Sequence, residues 1–249
     1  MTRRLLAILP ALLFVLPVIG STGCALIERG NQGWWQARRH ATGQAPGPAV
    51  NRDAVVQVYA ARAFGLRGAL GVHTWIVTKP TGADHYTRYE VMGWGVSRGT
   101  PTVRISRGGP DDHWFGAFPD KLADLRGPAV DATIARIEAA VRAYPYPDTY
   151  RTWPGPNSNT FVAWVARAVP ELRLDLPPTA IGKDWLPGGA VAGMTPSGTG
   201  AQLSLFGLLG VLVGLEEGVE VNVLGLTAGL DFNSPGIKLP GIGRIGLPQ

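Results

Sequence analysis

A serine becomes a nucleophile when a base takes its proton and when donors wait for the negative charge that develops. The stretch Trp153-Pro154-Gly155-Pro156-Asn157-Ser158-Asn159-Thr160-Phe161 offers the second condition. A Pro/Gly loop runs into Asn-Ser-Asn, and residues 161–169 read as a short helix closed by Pro170. Asn157 or Ser158 is a natural N-cap, since either side-chain oxygen can accept from an amide of the first turn. Ser158 therefore stands where amides converge and the helix dipole is positive, which suits a nucleophile, a developing oxyanion or a plain cap.

The base must come from four histidines. His40 lies in a polar stretch, His85 in a turn, and His113 in a loop beside Trp114. His73 falls within an apolar strand, between Val72 and Thr74, where an imidazole needs a partner. Glu90, on the strand that returns from it, is the nearest carboxylate. The candidate catalytic set is Ser158 as nucleophile, His73 as general base and Glu90 as orienter. Oxyanion donors would be the amides near Ser158 and Asn159, helped by the Asn157 side chain. Against it stand a structural histidine and a serine cap, and a Ser158–Lys183 dyad is a further enzymatic option. Histidine and carboxylates never take metal-ligand spacing, and Pro196 to Gly200 lacks the Gly-Lys-Ser/Thr ending of a phosphate loop. No metal and no cofactor are expected.

The elements that would position these residues follow from periodicity. Residues 54–61 alternate and lean to strand. Residues 69–78, rich in β-branched and aromatic side chains, predict a second strand, and 86–93 its antiparallel partner after the turn at Lys79-Pro80-Thr81-Gly82. Residues 101–106 add another. Val130, Ile134, Ile137 and Val141 recur at helical spacing and predict a helix over 130–143. Gln202 to Phe232 reads as a β-hairpin or small sheet around Glu216-Glu217-Gly218, with a membrane-dipping element as the alternative, and the Pro/Gly-rich 235–249 as an extended tail.

The 249 residues carry 34 glycines and 21 prolines, which predicts loops and short strands. The net charge of +5 falls to about +3 once Arg3 and Arg4 are set aside, and no dense basic stripe exists, so nucleic acid is not an expected partner. Cys24 is the single cysteine, which excludes an internal disulfide. Basic Arg3-Arg4, an apolar run from Leu5, then Ser21-Thr22-Gly23-Cys24 make the pattern of an export signal. One reading is a lipoprotein signal with Cys24 lipidated, although Ser21 stands where leucine is usual. The other is an uncleaved anchor, since Leu5 to Ile27 carries no charge. Both tether the chain to a membrane outside the cytoplasm. Residues 1–27 are assigned to that segment, 28–50 to a linker, 51–190 to the main domain and 191–249 to a Gly-rich β extension and tail.

Val72-His73-Thr74-Trp75, Arg88-Tyr89-Glu90-Val91, Gly155-Pro156-Asn157-Ser158-Asn159-Thr160-Phe161 and Ile181-Gly182-Lys183-Asp184 resemble an uncharacterised bacterial membrane-associated family, known only as a domain of unknown function. More remotely, a strand histidine followed much later by Asn-Ser-Asn-Thr-Phe opening a helix resembles circularly permuted papain-like proteins, the NlpC/P60 and lecithin–retinol acyltransferase relatives. That resemblance implies amide or ester cleavage or transfer, with His73 as base and Ser158 where those enzymes carry cysteine. Serine is much harder to activate than cysteine. The expectation is an α+β fold, a small antiparallel sheet packed on two helices with a C-terminal β-rich extension. In function, it is an envelope hydrolase or acyltransferase acting on a lipid or cell-wall peptide, or a non-catalytic binding protein that keeps the fold.

Overall fold

The computed structural model describes residues 11–28 and 33–247. Arg3, Arg4 and the first apolar residues of the expected anchor lie outside them. Helix α1, Leu16–Glu28, continues a π-helical turn over Ala11–Val15. Its Ser21 hydroxyl donates to the Ala69 carbonyl, which lays the helix against the domain. Among the described residues no helix is long and apolar enough to cross a membrane.

The fold is α+β. Strands β1 (Val55–Arg62), β2 (Val72–Lys79), β3 (Thr87–Val91), β4 (Val103–Ser106) and β5 (Asp120–Arg126) form an antiparallel sheet in the order β4-β3-β2-β1-β5. Side chains alternate across a strand. Val56, Val58, Ile76, Tyr89 and Val91 therefore join helices α2 (Val130–Arg142) and α3 (Ser158–Ala168) in the main core. Val55, Tyr59, Trp75 and Val77 form a second, smaller core on the opposite face, against Ala45, Trp114 and Ala117. β2 begins at Val72 rather than at residue 69, because Gly65–Ala69 folds into a 3-10 turn.

Strand β5 escapes a hydrophobic pattern search. It carries Asp120, Lys121, Asp124 and Arg126 and pairs on the outer edge of β1. Charge is what an edge strand needs to avoid pairing with another chain. Residues 33–50, read from sequence as linker, run along the domain. Asp111 accepts from the Thr42 hydroxyl at 3.0 Å and the Ala45 amide at 3.2 Å.

The C-terminal part is a second antiparallel sheet, a meander of β6 (Ala192–Met194), β7 (Gly200–Leu205), β8 (Leu209–Gly214), β9 (Gly218–Val223), β10 (Leu226–Asp231), β11 (Gly236–Leu239) and β12 (Gly243–Gly246). The expected hairpin is thus larger, and the tail supplies two of its strands. Its polarity is inverted. Gln202, Ser204, Glu220, Asn222 and Lys238 are buried against the α+β domain, while the aliphatic residues between them are exposed. The inward face is held by charge. Glu220 lies 2.7 Å from Lys183 Nζ and 2.7 Å from Lys238 Nζ, and Lys238 also reaches Asp175 at 2.6 Å. Asp184 accepts from the Ser204 hydroxyl at 2.8 Å. Gly210 makes room for it, since a Cβ there would stand 2.7 Å from Asp184 Oδ2.

Removing one partner of a buried, paired charge leaves the rest uncompensated, at a cost of about 3–5 kcal/mol. Glu220→Ala removes the carboxylate shared by two buried ammonium groups, of which Lys238 alone keeps a carboxylate contact, Asp175, so urea unfolding should show a loss of that order. A loss below about 1 kcal/mol would show that the cluster does not hold the two sheets together.

Candidate functional site

Helix α3 starts where the chain can satisfy its first amides. Asn157, not Ser158, is the cap. Its Oδ1 accepts from the Asn159 amide at 2.9 Å and the Thr160 amide at 3.0 Å. The Thr160 hydroxyl lies 2.7 Å from the Asn157 amide, which completes a capping box. Asn157 Nδ2 donates to the carbonyls of Thr152 and Ile181, each at 3.1 Å, and Asn159 Nδ2 donates to Ile181 at 3.0 Å. Gly182 follows with φ +91, and a Cβ there would stand 2.5 Å from the Pro154 carbonyl oxygen. Loop 153–157 and loop 181–182 are thereby pressed together, with cis bonds at Trp153–Pro154 and Gly155–Pro156.

These bonds reassign two expected roles. Both Nδ2 hydrogens of Asn157 and the Asn159 amide are already engaged, so as oxyanion donors they would have to break structural bonds. Ser158 is freed from capping and occupies the first helical position, and among the described residues its hydroxyl makes no hydrogen bond.

His73 lies on the other face of β2 from Thr74. The Thr74 hydroxyl points to α3 and donates to the Ser158 carbonyl at 3.2 Å and to Asn159 Oδ1 at 3.0 Å. His73 points to the smaller core, where its Nε2–H donates to Glu90 Oε2 at 2.8 Å. Glu90 sits opposite Trp75 in the ladder and reaches His73 diagonally. Arg88, two residues earlier on the same face, grips that carboxylate with two bonds of 2.9 Å. The spacing of Arg88 and Glu90 was a readable signal for this clamp, since residues i and i+2 share a strand face.

Around His73 runs an aromatic stack. Trp94 lies on Trp114 at 5.8 Å, Trp114 on His73 at 3.7 Å, His73 on Trp75 at 5.8 Å and Trp75 on Tyr59 at 5.7 Å. Arg88 stands over the Trp75 ring at 4.2 Å. Sequence reasoning missed this stack because its members come from four separate segments.

His73, Asn157, Ser158 and Asn159 all line one cleft of about 1020 Å³, walled by aromatic side chains that include Phe64, Trp94, Trp114 and Trp153. Glu90 lies behind, on a smaller hollow shared with Arg88 and Asp112. His73 and Ser158 share the cleft, but no hydrogen bond joins them among the described residues. Lys183 is engaged by Glu220 and the Leu176 carbonyl, which ends the Ser158–Lys183 alternative. Cys24 is exposed on α1. Among the described residues no three His, Cys, Asp or Glu side chains stand close enough to share a metal ion.

Burial pushes the His73 imidazole below its ordinary range; the Glu90 contact opposes this without overcoming it, so the ring is neutral at neutral pH. Burial would raise the Glu90 carboxyl, but the bond from His73, then the charge and bonds of Arg88, hold it well below the ordinary carboxylate range. With the ring neutral, Arg88 is the standing counter-charge.

Residues 53–185 match a family described as "Protein of unknown function (DUF3750)", and the chain belongs to that family. No curated protein and no solved structure matches the chain. That description names no activity, and neither comparison extends the likeness to papain-like proteins.

The depressed values fix the sign of the pH dependence. Glu90 contributes stability that is full above about pH 4.5 and is lost as pH falls towards 2. His73 weakens the fold below about pH 6.5, where the unfolded chain binds a proton that the buried ring refuses. Urea midpoints measured between pH 7 and pH 3 should fall in both stages for the natural chain and lose the lower stage in Glu90→Gln. An unchanged slope below pH 4.5 in the variant would show that Glu90 is not held ionised by this network.

Proposed function

We propose that this is an exported, membrane-tethered protein of the bacterial envelope whose aromatic cleft holds an amide- or ester-bearing molecule, such as a lipid or cell-wall peptide, without covalent chemistry. On this reading the chain keeps a permuted papain-like layout with serine in the nucleophile position. The observation that carries it is the separation of function within the cleft. Among the described residues Ser158 has no base on its hydroxyl, and His73 and Glu90 are tied into an aromatic and guanidinium framework that shapes a wall. Apolar walls with a few convergent polar groups are what a small-molecule site requires. The basic and apolar N-terminal pattern supports the tether.

A second reading, a hydrolase or acyltransferase using Ser158 and His73, draws on one specific feature. Glu90 binds Nε2 and so leaves Nδ1 of His73 as the unprotonated nitrogen, while Ser158 sits at a helix start. Ligand binding that moved the ring towards Ser158 would give it a base.

Two measurements separate these. A brominated N-acyl amino acid should quench the tryptophan fluorescence of the full chain, equally well in Ser158→Ala and several-fold less well in Trp94→Ala. Absence of quenching at millimolar probe would contradict the binding reading. A fluorophosphonate should leave Ser158 unmodified by mass spectrometry. An adduct on Ser158 that disappears in His73→Gln would establish the catalytic reading instead.

A further inference from the structure

The inverted C-terminal sheet leaves an aliphatic plane facing outwards. One row crosses all seven strands in register, Met194–Ala201–Val213–Val219–Leu230–Ile237–Ile245. Apart from Ala201, which is also exposed, each of these side chains is a large hydrophobe with 38–56 % of its surface open. The next row, Leu203–Val211–Val221, is likewise exposed until it meets Ala228 on β10, which is buried. The residues between these rows point inwards, and they are where the polar groups and glycines lie. No charged side chain stands in either row.

From strand spacing and rise, such a face measures roughly 30 Å by 20 Å, about 600 Å². That is at the top of what a soluble monomer exposes in one patch. A second copy packed face to face would bury about 1,200 Å² in total, the lower edge of specific interfaces and well short of apolar obligate dimers. The face is also already crossed at one place. The N-terminal apolar turn Ala11–Val15 lies against β10, where Ala228 is buried. From there α1 continues with Leu16, Ile19 and Ile27 exposed. Helix and sheet therefore share a continuous apolar boundary. Exposed Phe206 and Phe232 sit in turns at opposite ends of the strands, where aromatic rings flank a hydrocarbon layer.

We infer that the outer face of β6–β12 lies flat on the hydrocarbon boundary of a lipid bilayer, beside the N-terminal apolar segment. The inference rests on the tether proposed above and adds to it a second, much broader contact. The ladder satisfies the backbone groups within the sheet, so the face can meet acyl chains without stranding amides, and its edge strands remain at the level of the headgroups. The inward charge cluster makes this possible, because it removes every polar side chain from the side that meets lipid.

The test uses the full chain with Cys24→Ser and one added cysteine, Val211→Cys, Val221→Cys or, as control, Ala139→Cys on the exposed side of α2, each labelled with a nitrobenzoxadiazole dye. Phosphatidylethanolamine/phosphatidylglycerol vesicles carrying doxyl lipids are added, and flotation is followed in parallel. Dyes at 211 and 221 should be quenched several-fold more than the dye at 139. Flotation with equal quenching at all three sites would overturn sheet docking and leave the tether standing. Failure to float would overturn sheet docking and the uncleaved anchor, since Cys24→Ser already removes a lipid at Cys24. Shielding at 211 and 221 that rises with protein concentration and needs no vesicles would assign the face to a second copy of the chain and overturn the bilayer.

Discussion

A buried carboxylate between two ammonium groups tolerates little rearrangement, because any displacement leaves a charge in a medium that cannot solvate it. Glu220 is in that position, with Lys183 supplied by the family domain and Lys238 by its own sheet. The contact fixes which face of the C-terminal sheet turns inwards. It also reaches the cleft. Lys183 and Asp184 follow directly on Ile181 and Gly182, and the Ile181 carbonyl is where Asn157 and Asn159 are fastened. The Trp153 indole is bound to the Leu224 carbonyl in a turn of the same sheet. The start of α3, and with it Ser158, is thus held from outside the α+β domain, by a sheet that lies beyond the residues matched by the family.

On the opposite wall the controlling element is the Arg88–Glu90–His73 clamp within its aromatic stack. Burial makes His73 a neutral ring, and the carboxylate defines which nitrogen carries the proton. This produces a stiff, apolar surface with one unprotonated nitrogen. The chemistry of the cleft then depends on whether a ligand brings that ring and Ser158 into contact, since it is the neighbouring Thr74, on the other face of β2, that is bound to α3. The same economy of polar groups recurs at the second sheet, where all polarity is drawn inwards and a hydrocarbon-like plane remains outside.

Much of this was legible in residues alone. Period-two and helical spacing located β1 to β4 and both packed helices within a few positions, and Asn157-Ser158 marked the start of α3. Glu90 was named as the partner of His73, although its ladder position is opposite Trp75. Strand β5 was invisible because an edge strand is selected for charge, which erases the hydrophobic signal. The C-terminal sheet was visible as alternation in Val219-Glu220-Val221-Asn222-Val223, but alternation gives no sign of which face is buried. Ordinary experience assigns the valines to the interior. Only Lys183 and Lys238, distant in sequence, reveal that Glu220 has inward partners. The cap was ambiguous by one residue, and that residue decides whether Ser158 is a structural oxygen or a free one.

The central claim is that the buried charges of the C-terminal sheet hold the serine-bearing loop. Hydrogen exchange of the Asn159 and Thr160 amides, both bound to Asn157 Oδ1, tests it most directly when the natural chain is compared with Glu220→Gln. Neutralising Glu220 is expected to lower protection at these two amides, which lie about 30 residues before the first strand of the C-terminal sheet, along with protection in β9 and β11. Loss confined to the sheet, with the α3 start as protected as before, would contradict it.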